Sequence, residues 1–100
     1  MPEYFLVKRA HGPSWDSSRL RRDQNGWDDH AAFMDELVEG GVIVLGGPVG
    51  EGDGTHALLV MDVRSEAEVR ERLAADPWGE DMLTTESIEP WSIFLNRERG

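Results

Sequence analysis

One hundred residues fit one domain with one core, and a single domain over 1–100 is expected. Hydrophobic residues make up 39% and charged residues 30%, a globular mixture, and the lack of cysteine excludes a disulfide framework, a thiolate metal site and a catalytic thiol. A formal net charge of −10 argues against nucleic acid or an anionic membrane surface as partner.

The longest apolar runs reach only about five residues, too short for a spanning helix or a secretory segment. A cytoplasmic setting without membrane attachment is therefore expected. Charge is spread unevenly. Lys8, Arg9, Arg19, Arg21 and Arg22 outnumber Glu3, Asp16 and Asp23 in residues 1–27. Such a stretch on an acidic protein is either a solvated loop or a device that steers a small anion toward a local site.

In chain order, residues 3–9 read as a first strand, rich in β-branched and aromatic side chains. Residues 11–26 are polar and broken by Gly12, Pro13 and Gly26, giving a long loop; loops of this length are either functional or mobile excursions. Trp27 to Glu39 is a helix, with Trp27, Ala31, Met34 and Val38 on one stripe and Asp28, Asp29, Asp35 and Glu36 on a wetter side. Asn25 is the expected cap, and Gly40-Gly41 ends the helix. Residues 41–45 form a second strand closed by Gly46-Gly47-Pro48, and 55–63 a third, joined through Gly50, Gly52 and Gly54. Ser65 caps a second helix, with Glu68 placed for a capping box. Asp76-Pro77 stops it, because the residue before proline is pushed out of helical geometry. A turn or short helical piece at 79–83 precedes a last strand over 88–95.

The order β-α-β-β-α-β has one common compact solution, the ferredoxin-like α+β arrangement. It places the first and third strands centrally in a four-stranded antiparallel sheet, with two helices on one face. Residues 42–45 and 57–61 are continuous apolar runs, the pattern of strands covered on both sides. Two helices cover one face only, so a second copy is expected on the other, giving a homodimer through the sheet face.

Tracing directions, one rim of the sheet collects the 11–26 loop, the start of the first helix, the 46–54 connection and the end of the second helix. His30, in the first turn of one helix, and Asp76, expected in the last turn of the other, meet there. A carboxylate holding one ring nitrogen fixes the tautomer and leaves the other free for proton transfer. The same pair would equally serve as a structural tie between helices. The helix N-terminus disfavours a charged imidazolium, while Asp28 and Asp29 pull the other way.

Arg19, Arg21 and Arg22 are candidate substrate anchors. Gly47 and Pro48 permit close backbone approach, and Trp27 and Trp78 are candidate pocket walls, although strand ends and aromatic burial account for such residues too. His11 and His56 share no ligand spacing with His30, and Gly46-Gly47-Pro48 matches no phosphate loop, so neither metal nor cofactor is expected.

Trp27-x-x-His30-x-x-Phe33, Gly46-Gly47-Pro48, Asp76-Pro77-Trp78 and Pro90-Trp91 resemble, in order and approximate spacing, the YCII-related (YciI-like) proteins, along nearly the whole chain. The resemblance implies a dimeric α+β barrel of ferredoxin-like subunits. It also implies an active site of one histidine and one aspartate, which here fall on His30 and Asp76. The family includes a dehydrochlorinase of a chlorinated hydroxyquinol that works without metal or organic cofactor. This chain departs from the more usual arginine shortly before the histidine; Arg21 and Arg22 lie further upstream. The resulting expectation is a cofactor-free lyase or isomerase acting on a small anionic or phenolic metabolite. A non-catalytic ligand-binding or regulatory module and a cofactor-free monooxygenase are the competing expectations.

Overall fold

The computed structural model describes residues 3–97, so the extreme ends of the domain expected over 1–100 lie outside the described residues. Strand β1 (Glu3–His11) leads through a 3-10 turn (Arg21–Asp23) to helix α1 (Trp27–Glu39). Strands β2 (Ile43–Val49) and β3 (His56–Met61), helix α2 (Glu66–Leu73) and strand β4 (Leu83–Ser92) follow. The strands form one sheet in the order β2-β3-β1-β4, and each neighbouring pair is antiparallel. The fold is the ferredoxin-like α+β arrangement, with β1 and β3 central.

Alternation along β1 assigns the faces. Phe5, Val7 and Arg9 share one side and stand opposite Met61, Leu59 and Ala57 of β3. That side is the core: Val7, Ile43, Leu59 and Met61 pack with Leu37 of α1 and with Val69 and Leu73 of α2. Both helices therefore cover the same face. Each such side chain contributes about 1.5–3 kcal/mol by leaving water.

The elements differ from the sequence expectations at several boundaries. Gly26, not Asn25, occupies the cap of α1, in the left-handed region at φ +80° and with no side-chain hydrogen bond. The stripe of α1 is rotated: His30 and Leu37 are buried, Phe33 and Met34 pack on the core, and Val38 is 52% exposed. Gly46-Gly47-Pro48 lies inside β2 rather than closing it. A register shift between Ile43 and Leu45 turns Val44 and Leu45 outward together, so this apolar run is not covered on both faces within one chain.

Ser65 caps helix α2 as expected, while the reciprocal bond of Glu68 goes to the amide one residue before the cap. The Ser65 hydroxyl accepts from the Glu68 amide at 3.1 Å, while the Glu68 carboxylate accepts from the Arg64 amide at 2.9 Å and is held below its ordinary pKa by that bond. The helix ends at Leu73, so Asp76 lies beyond its last turn rather than in it. Strand β4 starts and ends earlier than 88–95 because β1 continues to His11 and pairs with Leu83. Pro90 fits within it because β4 is an edge strand, where a missing amide costs no ladder bond.

Candidate active site

Three segments converge beside the helical face of the sheet. Arg9 holds an alternation position that belongs to the core, opposite Ala57, whose small side chain leaves room for a long one. Its side chain is 2% exposed, and a guanidinium there requires partners. Nη1 donates to Asp76 Oδ2 at 3.3 Å and Nη2 to the Leu83 carbonyl at 3.2 Å.

Asp76 is placed by the end of α2. Its amide donates to the Leu73 carbonyl at 3.1 Å, Pro77 prevents a further turn, and the Trp78 amide donates back to Asp76 Oδ1 at 2.8 Å. This Asx-type turn locks the carboxylate, which is wholly buried. His30 Nδ1 lies 2.8 Å from Asp76 Oδ1 and 3.0 Å from Oδ2. An ionised carboxylate only accepts, so in contact with one, Nδ1 is the nitrogen placed to donate. Nε2 makes no hydrogen bond among the described residues.

The imidazole cannot swing away. Trp78 stacks on it with centroids 4.1 Å apart and planes 12° from parallel, and Trp27 tilts against it at 5.9 Å. Trp78 is itself tied to the start of α1, its Nε1 donating to the Asn25 carbonyl at 2.7 Å. Glycine at position 26 suits this packing, since a Cβ there would stand 3.1 Å from Trp78 Nε1.

The 11–26 loop is cross-linked from within, although most of its residues are exposed. Buried Gln24 brackets it, accepting from the Asp16 amide at 3.0 Å and donating to the Asp16 and Arg19 carbonyls at 2.7 and 3.1 Å. Trp15 stacks on His11 at 3.9 Å, meets Trp78 edge-on at 5.6 Å, and carries the Arg21 guanidinium 5.2 Å above its ring. Burial and the nearby Arg21 charge lower the His11 pKa.

A cavity of about 230 Å³ opens beside this assembly. His30, Arg9, Arg21, Trp27, Gly47 and Pro48 line it together with apolar side chains that include Met34, Ile43 and Leu59. Of the residues singled out from the sequence, Trp78 is 2% exposed and backs the imidazole instead of lining the cavity. Arg19 is exposed, 3.8 Å from Asp16, and Arg22 is exposed beside the first turn of α1; neither reaches the cavity. The charge pattern of the sequence groups Arg9 with the loop cations and hides its role. Its signal was legible: a charged residue two positions after Val7 falls on the inward side of the strand. Trp15 and Asp53 carried no such signal.

The site sets one ring nitrogen of His30 against a mostly apolar cavity, with the other held by a buried carboxylate and that carboxylate held by an arginine. Among the described residues, no group of acidic and histidine side chains is arranged to hold a metal ion, and no helix is long and apolar enough to cross a membrane.

A family model described as the YCII-related domain matches residues 6–92. No curated protein matches the chain. Among solved structures, the chain is similar to the 5-chloro-2-hydroxyhydroquinone dehydrochlorinase (TftG) from Burkholderia phenoliruptrix AC1100, in complex with 2,5-dihydroxybenzoquinone. The TM-score is 0.61 at 23% identity, covering 97% of this chain and 99% of that one. At that identity the likeness speaks for the fold.

Proposed function

The chain belongs to the YCII-related domain family, and on that footing we propose that it is an enzyme of the lyase or isomerase kind that uses His30 for proton transfer on a small metabolite. The observation that carries this reading is the Nδ1 contact of His30 with Asp76 at 2.8 Å in a ring that also lines the cavity. Nε2 then takes a proton from a ligand hydroxyl or activated C–H. The electron pair left behind either expels a leaving group, giving elimination, or is reprotonated at a neighbouring carbon, giving isomerisation. Asp76 stabilises the imidazolium formed, and Arg9 holds Asp76 in place. A positioned group of this type contributes about 10²–10⁴-fold in rate. A hydroxylated ring fits the cavity chemistry, and a dehydrochlorinase of similar fold that holds a dihydroxybenzoquinone supports that substrate class.

The test is incubation of a metabolite library with the protein in D₂O, followed by mass analysis. Wild type is expected to convert or deuterate at least one compound that His30→Ala leaves untouched. Compounds bound and returned with unchanged mass by both proteins would make the cavity a binding module instead.

The working unit in this reading is a homodimer. The sheet face away from the helices presents a groove lined by Tyr4, Leu45, Val60, Trp91 and Leu95, in which Leu45 is 64% and Trp91 43% exposed. Contiguous apolar surface of this kind favours a covering partner, and a second copy offers the same face in return.

A further inference from the structure

Two arginines line the cavity, and they differ in one respect. Arg9 is buried against the Asp76 carboxylate. Arg21 is also buried, at 8% exposure, yet among the described residues no carboxylate stands within ion-pair distance of its guanidinium. Nη2 donates to the Asp53 backbone carbonyl at 3.3 Å, the Trp15 ring lies under the plane, and Nε has no partner. The Asp53 carboxylate is occupied elsewhere: it accepts from the Arg21 backbone amide. Asp53 therefore clamps the main chain of the loop to the β2–β3 hairpin; its charge offsets part of the burial cost of Arg21 from nearby but forms no ion pair with the guanidinium.

A buried cation without a directly paired carboxylate is costly unless something supplies one. Asp35 also lines the cavity, but it is exposed on α1, where water screens it. The remaining walls are mostly apolar. An apolar cavity of about 150 Å³ takes up benzene, so about 230 Å³ accommodates a six-membered ring with substituents. Resting on the reading of this cavity as the binding site, we propose that Arg21 is its anion subsite and that Asp53 is the positioning residue holding Arg21 there. The ligand is a small apolar body bearing one delocalised oxyanion, a carboxylate or a phenolate. The oxyanion sits at Arg21, and the ring extends along Met34, Ile43 and Leu59 toward His30.

Benzoate, 4-nitrophenolate and benzyl alcohol titrated into the ¹⁵N-labelled full chain test this, with amides of β2 and β3 as reporters. At least one anion is expected to bind about tenfold more tightly than the alcohol. The anion that does so tells carboxylate from phenolate. Arg21→Gln should bring that preference below about twofold, and Arg21→Lys should keep part of it. Asp53→Ala should weaken anion binding by about three- to tenfold, while Asp53→Asn, which retains an acceptor for the Arg21 amide, should restore it. Equal binding of all three probes to wild type, or a preference that survives Arg21→Gln, would overturn the subsite and leave the cavity reading intact. No binding by any probe would overturn both. If Arg21→Gln does not fold, the wild-type preference and its retention in Arg21→Lys decide the matter.

Discussion

Arg9 shows at the level of one side chain why this site is rigid. Its guanidinium and the Asp76 carboxylate are 2% and 0% exposed, so each is tolerable only in the presence of the other. Arg9→Met should lower stability by about 3–5 kcal/mol, because it strands a buried carboxylate. Combining it with Asp76→Asn should cost less than the sum of the two single changes, since the pair is coupled. Urea denaturation of the four proteins reads this directly; additive losses would mean that the two groups do not depend on each other. His30 and Asp76 were legible in the sequence because topology alone brings the start of one helix and the end of the next to a common rim. The arginine beneath them is masked by the cationic stretch around it, although the alternation of β1 points it inward. Sequence alone does not separate Arg21 from Arg19 and Arg22, because the three-residue turn that buries Arg21 and exposes Arg22 has no periodic signature.

At the level of elements, the expectations held for identity and order and failed at edges. The two helices were found from their apolar spacing and end signals, and α1 was placed to the residue. Its buried stripe differs from the expected one because Trp27 and Val38 face the cavity and not the packed core, and an open cavity wall selects apolar residues just as a core does. Strand β2 was cut short because glycine and proline usually punctuate strands. Here Gly46 is a fitting requirement: a Cβ would meet the Leu59 side chain at 2.7 Å and the Leu58 carbonyl at 2.8 Å. Gly47 is different, with open space around that position. Gly46→Ala should therefore destabilise the fold by about 1–3 kcal/mol, while Gly47→Ala should leave stability nearly unchanged and affect only what enters the cavity. Thermal unfolding of both variants separates them; equal losses would contradict the fitting argument.

At the level of the molecule, an acidic chain buries two cations among the described residues, Arg9 and Arg21, and both line the cavity that His30 lines. The outward turn of Val44 and Leu45 gives the sheet a second apolar face, and the dimer proposal rests on it. Sedimentation at micromolar concentration should report a dimer for wild type, and Leu45→Glu should shift it to monomer without loss of helix or strand content. A wild-type monomer would show that this face stays uncovered. The central claim remains chemical: Asp76 holds the proton on Nδ1 of His30 so that Nε2 is the basic atom at the cavity. Long-range ¹H–¹⁵N NMR of the imidazole at alkaline pH tests it most directly. A protonated Nδ1 with a bare Nε2, lost or mixed in Asp76→Asn, is the predicted result. An Nε2–H tautomer in wild type, or an unchanged spectrum in Asp76→Asn, would contradict it.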